Sequence, residues 1–133
     1  MKLHHIGIVV DDIKKFIGPL TNFLKINDSF IPLENTLQKI NYVFIPSGDV
    51  YLELIQPTTD ESPVSLFLKK GGGLHHIAFE VENIEETISE LKAKGGKILF
   101  ETQKGFEGRL ISFIFMNSFP CKIIELVSKK LDD

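Results

Sequence analysis

The sequence predicts an α+β fold of two tandem β-α-β-β-β modules forming a cupped eight-stranded mixed sheet. Three observations predict it. First, all four histidines fall in two identical pairs, His4-His5 and His75-His76. Each pair opens a β-rich run, Ile6-Gly7-Ile8-Val9-Val10 in one case and Ile77-Ala78-Phe79-Glu80-Val81 in the other. Second, each run leads through an acidic or amide cluster (Asp11-Asp12, Glu82-Asn83) into an amphipathic stretch. Third, Leu52-Glu53-Leu54-Ile55 matches Ile124-Glu125-Leu126-Val127 at almost the same offset: 71 residues from His5 to His76, 72 from Glu53 to Glu125. A period of about 70 residues exceeds the roughly 20–50 of solenoid repeats, so two copies mark a duplicated half-domain with a pseudo-two-fold axis.

In the first module, residues 3–10 read as a strand. Residues 12–25 read as a helix with Ile13, Phe16, Ile17, Leu20, Phe23 and Leu24 on one face at helical spacing. Gly18-Pro19 predicts a kink or short break in it. Residues 39–46 and 50–56 read as strands around the turn Ser47-Gly48-Asp49, with a further short strand opening at Leu37. In the connector, Ser62-Pro63 reads as N-cap and first turn of a short helix reaching Lys70, and Gly71-Gly72-Gly73 gives it a flexible end. In the second module, residues 75–81 form a strand. Asn83 caps a helix over 84–94, with Glu86 completing a capping box and Ile84, Ile88 and Leu91 as the buried stripe. Gly95-Gly96 ends that helix. Residues 97–101, 109–116 and 121–128 complete the strands, and Ser128 to Asp133 reads as a solvated tail.

The chain has 133 residues, a net charge of −3, 43% hydrophobic and 25% charged residues. That suits one domain over 1–133, with modules of about 1–57 and 74–133 and a connector over 58–73. The mildly acidic balance argues against nucleic acid as partner, because phosphate binding needs an excess of Lys and Arg. The single cysteine, Cys121, excludes an intrachain disulfide and is too few for a thiolate zinc site. The apolar run near the N-terminus is about five residues, too short for a secretory signal. No stretch approaches the roughly 18 apolar residues of a membrane span. The expectation is a cytoplasmic protein without membrane or nucleic-acid partners.

The repeat also carries the chemistry. Strand side chains alternate between faces, so His5, Gly7 and Val9 share one face and His4, Ile6, Ile8 and Val10 the other. If the modules curl into a cup, equivalent positions converge near the axis, and His5, Glu53, His76 and Glu125 meet there. A lone strand histidine is more often a core residue and a lone strand glutamate usually faces water; their occurrence in register across a repeat favours a metal site. Two imidazoles and two carboxylates suit a divalent Co, Ni, Zn, Mn or Fe ion and leave it nearly neutral, with two positions for substrate oxygens. His4 and His75 read as non-ligands. Arg109, Lys104 and Lys122 are candidates to meet an anionic substrate group, though such residues are more often solvated surface charges. Asn41, Tyr42 and Ser112 lie on inner strands, with core or surface roles as plausible as substrate contact.

These residues resemble the vicinal oxygen chelate (glyoxalase/bleomycin resistance/dioxygenase) superfamily, and within it the methylmalonyl-CoA epimerases. The stretch that carries the finer resemblance runs from Glu53-Leu54-Ile55-Gln56-Pro57 through Asp60-Glu61-Ser62-Pro63-Val64 to Gly73-Leu74-His75-His76-Ile77-Ala78-Phe79-Glu80-Val81. The family's four metal ligands fall on His5, Glu53, His76 and Glu125. Lys104 to Arg109 and Met116 to Lys122 depart from the epimerase pattern, and the third-strand acidic base of some epimerases falls near Asn41.

The resemblance implies a metal-dependent isomerase or lyase acting on an acyl-CoA or a thiol adduct, with Glu125 or Glu53 as the proton-transferring carboxylate, and a homodimer. Epimerase-like proton transfer α to a carbonyl is the leading expectation. A glyoxalase I-like lactoylglutathione lyase and a non-catalytic small-molecule binding or resistance protein are the alternatives.

Overall fold

The computed structural model describes residues 1–130. In chain order the elements are β1 (Lys2–Val9), α1 (Ile13–Leu24), β2 (Leu33–Asn35), β3 (Ile40–Ser47), β4 (Val50–Pro57), α2 (Ser65–Lys69), β5 (Gly73–Val81), α3 (Ile84–Ala93), β6 (Lys97–Lys104), β7 (Leu110–Phe115) and β8 (Ile123–Ser128). A 3-10 turn, Phe106–Gly108, stands between β6 and β7. The eight strands belong to one mixed sheet in the order β2-β3-β4-β1-β5-β8-β7-β6, as the α+β expectation requires. Among the described residues no helix is long and apolar enough to cross a membrane. The chain forms two compact units, one of residues 6–75 and one of Met1–His5 with the chain from His76 onward.

In the unit of residues 6–75, β3 and β4 form a long antiparallel hairpin from Ile40↔Pro57 to Ser47↔Val50. Its turn holds Gly48 at φ +62°, a left-handed conformation that glycine adopts without penalty. The short additional strand is Leu33–Asn35, earlier than the expected start at Leu37. Residues 36–39 are consumed by a turn in which the Gln38 N–H donates to Asn35 Oδ1 at 3.0 Å.

Helix α1 is continuous through Gly18-Pro19, so of the kink or short break that the pair predicts, the break does not occur. Tertiary packing outweighs the lost backbone bond, since Ile13, Ile17, Leu20 and Leu24 lie against Val43, Ile45 and Leu54. This stripe is narrower than expected. Phe16 and Phe23 flank it and are 41% and 80% exposed. A second cluster packs Val9, Ile40 and Ile55 against Val64 and the α2 residues Phe67 and Leu68. Helix α2 starts at Ser65, with Val64 at the N-cap position and no side-chain cap. Ser62 belongs instead to the preceding turn. Its hydroxyl donates to Gln38 O at 3.2 Å and its carbonyl accepts from the Ser65 N–H at 3.0 Å.

In the other unit, β5 and β8 are parallel, β7 is antiparallel to β8, and β6 is antiparallel to β7 with two register irregularities. Asn83 caps α3 as expected, its side-chain oxygen accepting from the Glu86 N–H at 3.0 Å. Ile84 and Ile88 are buried, and Leu91 partly so, against Val81, Ile114, Met116, Ile124 and Leu126. The helix closes at Gly95, φ +95°, and the Gly96 N–H returns to Leu91 O at 2.8 Å. Ala78, Ile111, Phe113 and Val127 form a second core cluster, with Phe100 and Phe106 packed on it. Of the expected tail, Ser128 ends β8, and Lys129 and Lys130 pair with Glu82 and Glu107 at the surface. Residues 131–133 lie outside the described residues.

Candidate metal centre

Among the described residues, the group of buried histidines and carboxylates able to hold a metal ion is His5, Glu53, His76 and Glu125. Three of these belong to one compact unit, where their geometry is explicit. His5 comes from β1, His76 from β5 and Glu125 from the middle of β8, in register with Ala78 on the neighbouring β5. The small Ala78 side chain, fully buried beside Glu125, leaves room for the carboxylate. Glu125 Oε1 stands 3.0 Å from the Nε2 of both His5 and His76, and the two Nε2 atoms are 3.2 Å apart. The rings meet edge to face with centroids 5.3 Å apart, and Phe113 packs edge to face on His76 at 5.2 Å.

Hydrogen bonds alone leave a conflict in this triangle. Each Nε2 offers either one proton or one lone pair. If both donate to Glu125, the 3.2 Å edge between the imidazoles sets two N–H groups against each other. If one imidazole presents its lone pair, that lone pair faces the carboxylate at 3.0 Å. A cation at the common focus removes the conflict, since all three atoms then act as electron-pair donors. The spacing fits as well: two donors at right angles with metal bonds of about 2.1 Å lie about 3.0 Å apart.

Glu125 is fully buried, and burial on its own opposes its charge. Hydrogen bonds from His5 and His76 outweigh that and bring the carboxyl down to about 2, so it is an anion at neutral pH. Glu53 lies on β4 opposite Phe44 of β3 in the other compact unit. A lone strand glutamate usually faces water, yet Glu53 is only 7% exposed. The neighbouring Tyr42 phenol is raised, first by burial and then by the Glu53 charge.

The non-ligand reading of His4 fits its position behind the triangle. It is buried, with Nδ1 2.7 Å from His5 Nδ1, the nitrogen turned away from Glu125. Burial above all, then the charges of His5 and Arg109, lowers its pKa to about 4, so it is neutral at physiological pH. Its ring stacks on Phe106 with centroids 5.2 Å apart and planes 26° from parallel.

The cationic candidates separate clearly. Arg109 is neither a solvated charge nor a free anchor for substrate. Its Nη1 pairs with Glu80 at 3.0 Å, and its guanidinium lies 5.7 Å over the Phe106 ring. Lys122 donates to the Asn117 backbone and side-chain oxygens, both at 3.0 Å, and Lys104 is exposed. Ser112 is fully buried and donates to Phe100 O at 3.1 Å, a core role. Asn41 lies opposite Gln56 on the β3–β4 hairpin, and both border an open cleft of about 580 Å³ beside Asp12 and Lys14. Sequence reasoning missed Phe106 as a partner of the histidines. The available signal was an aromatic inside the segment where the epimerase pattern breaks.

Comparison with known proteins shows the family. The chain is 38% identical over 134 residues to the uncharacterized protein YqjC of Bacillus subtilis, covering 98% of this chain and 94% of that one. It is 33% identical to the mitochondrial methylmalonyl-CoA epimerase of Homo sapiens, over 94% of this chain and 72% of the relative. A solved structure of Streptomyces coelicolor methylmalonyl-CoA epimerase, in complex with 2-nitronate-propionyl-CoA, superposes with a TM-score of 0.85 at 27% identity, over 98% of this chain and 99% of that one. Residues 3–113 match the family model of the glyoxalase/bleomycin resistance protein/dioxygenase superfamily, and with the fold and the histidine pairs in place the chain belongs to that superfamily.

Proposed function

We propose that this protein is a metal-dependent epimerase that moves a proton at the carbon α to the carbonyl of an acyl-CoA of the methylmalonyl-CoA type. The observation that carries the reading is the triangle of two imidazole nitrogens and one carboxylate oxygen with edges of 3.0–3.2 Å. The kinship with methylmalonyl-CoA epimerases supports the substrate class. His5, His76 and Glu125 are three of the ligands. Glu53, the repeat-equivalent of Glu125 and likewise buried, is the fourth. The donor set suits Co, Ni, Zn, Mn or Fe. Such an ion supplies Lewis-acid stabilisation of the negative charge that develops on the carbonyl oxygen during proton removal.

The chain's residues do the rest. The imidazoles hold their Nε2 lone pairs toward one point, and the two carboxylates balance the ion's charge. Glu125 or Glu53 takes the α-proton from one face, and inversion follows when a proton is delivered to the opposite face of the planar enolate; such proton transfer is worth typically about 10²–10⁴-fold in rate. Phe113 and Phe106 keep water from the histidine rings, which strengthens every charge interaction within. The reading includes a single domain over 1–133, built of modules 1–57 and 74–133 and acting as a cytoplasmic homodimer.

The test loads the purified protein with Co²⁺, Ni²⁺, Zn²⁺, Mn²⁺ or Fe²⁺ in turn and follows solvent deuterium into the α-position of methylmalonyl-CoA in D₂O. Exchange that needs the metal is expected. Metal binding without exchange rejects the acyl-CoA reading. Formation of an S-lactoyl thioester from methylglyoxal and glutathione would then assign the glyoxalase I-like reaction, which the altered segments 104–109 and 116–122 make the specific rival. Failure to take up any divalent ion removes the enzyme reading in favour of a small-molecule binding protein.

A further inference from the structure

We propose that His4 is a positioning residue for metal binding: its Nδ1 accepts the Nδ1–H of His5 and so commits His5 to bind through Nε2, while Phe106 holds the His4 ring in place. The inference rests on the metal reading above and extends it to a residue outside the ligand set.

The argument is one of proton placement. A neutral imidazole carries one N–H and one lone pair. His5 faces Glu125 and His76 with Nε2, so a cation there takes the Nε2 lone pair and the proton must reside on Nδ1. That Nδ1–H needs an acceptor, because His5 is fully buried and an unpaired buried donor costs about 1–3 kcal/mol. His4 Nδ1, at 2.7 Å, is within reach to accept it. His4 accepts only in the tautomer protonated at Nε2. The 2.7 Å contact therefore transmits the choice of tautomer from one ring to the other. Partners of this kind behind a metal-bound histidine fix its ring orientation and raise its basicity.

Adjacent residues on a regular strand point to opposite faces, so a histidine rarely supports its own neighbour. Here the support comes from the 105–109 segment. Phe106 stacks on His4 and meets His5 edge on at 5.8 Å, so one aromatic ring touches both members of the pair. Two features fix that ring. The backbone turns sharply after it, at Glu107 (φ +55°) and Gly108 (φ +71°). Arg109, anchored by Glu80 at 3.0 Å and donating to Ser128 O at 3.4 Å, lies with its guanidinium 5.7 Å over the ring centroid.

Two measurements test this. In the Zn²⁺-loaded, ¹⁵N-labelled protein, histidine-ring NMR should show His5 protonated at Nδ1 and His4 at Nε2. Scalar coupling between the two Nδ1 nuclei should appear across the hydrogen bond. A proton on His4 Nδ1 with none on His5 Nδ1, or absence of coupling, overturns the proposal without any variant having to fold. In parallel, Co²⁺ binding is followed by its visible absorption in the parent, His4→Phe and His4→Asn. The Phe ring keeps the stacking and removes the acceptor, so affinity should fall about 10–100-fold. The Asn side-chain oxygen can accept, and should restore most of the loss. His4→Phe binding Co²⁺ as tightly as the parent overturns the role of His4 while leaving the metal site standing. A parent that binds neither ion overturns the metal reading and this inference with it.

Discussion

His5 and His76 hold their Nε2 atoms 3.2 Å apart although 71 residues separate them in the chain. Two imidazoles at this distance share a single focus, and Glu125 adds a third donor at 3.0 Å from each. Removing either ring should therefore abolish the site rather than weaken it by degrees. For His76→Ala we expect Co²⁺ affinity to fall beyond the roughly 100-fold upper range of changes made behind a ligand. Isothermal titration of the folded variant measures this. Co²⁺ uptake equal to that of the parent would remove His76 from the ligand set.

Glu125 supports the fold as well as the proposed metal site. In the metal-free protein its buried carboxylate accepts from two imidazoles, and charged hydrogen bonds of this kind are worth about 1.5–3 kcal/mol. Glu125→Gln keeps the shape, and its carbonyl oxygen can take the place of Oε1, the one atom both rings contact, but the negative charge that strengthens those bonds is lost. The expected outcome is a loss of about 1–3 kcal/mol in urea unfolding with chelator present. A variant as stable as the parent under those conditions would mean that the histidines do not lean on Glu125.

Much of the fold and of the donor set was legible in the sequence because duplication writes each signal twice. His5 and His76, or Glu53 and Glu125, are each unremarkable alone and informative as a register-matched pair. The errors lie where tertiary contacts overrule local preference. Pro19 reads as a kink or short break, and no break occurs, because Ile17, Leu20 and Leu24 carry α1 past it by packing on Val43, Ile45 and Leu54. Ser62 reads as the cap of α2, but α2 starts only at Ser65; the Ser62 hydroxyl accepts from the Val64 N–H at 3.4 Å in the preceding turn and donates to Gln38 O, 24 residues away in the chain. Arg109 reads as a substrate hand or a surface charge, and only Glu80 on a different strand shows that it is a strut. No spacing rule within one segment can report these partners.

Gly72 lies at a close approach within the unit of residues 6–75. Its φ is +66°, and a Cβ there would fall 2.7 Å from the Val9 carbonyl oxygen. Gly72→Ala meets both a left-handed backbone penalty of about 1–2 kcal/mol and a clash with main chain that cannot rotate away. We expect a loss of at least about 2 kcal/mol, read as a lower urea midpoint with unchanged slope. Gly48 is the comparison: its φ is +62°, but nothing lies within 4 Å of the added carbon. Gly48→Ala should show the backbone penalty alone. Equal effects at the two positions would assign the whole cost to conformation and none to the approach of Val9.

Asn83 and Ser62 give the last contrast, since both read as helix caps and only one serves as one. Asn83 Oδ1 accepts the Glu86 N–H at 3.0 Å at the start of α3, a donor that has no partner within the helix. The acidic Glu85 and Glu86 in the same turn add favourable charge at the helix N-terminus. Asn83→Ala should cost about 1 kcal/mol, whereas Asn83→Asp should keep most of the stability because a carboxylate accepts the same bond. Loss of the cap frees the first turn of α3, so amide hydrogen exchange should quicken at Glu86 before it does at Leu91. Uniform acceleration along α3 would show instead that the packing of Ile84 and Ile88, not the cap, holds the helix start.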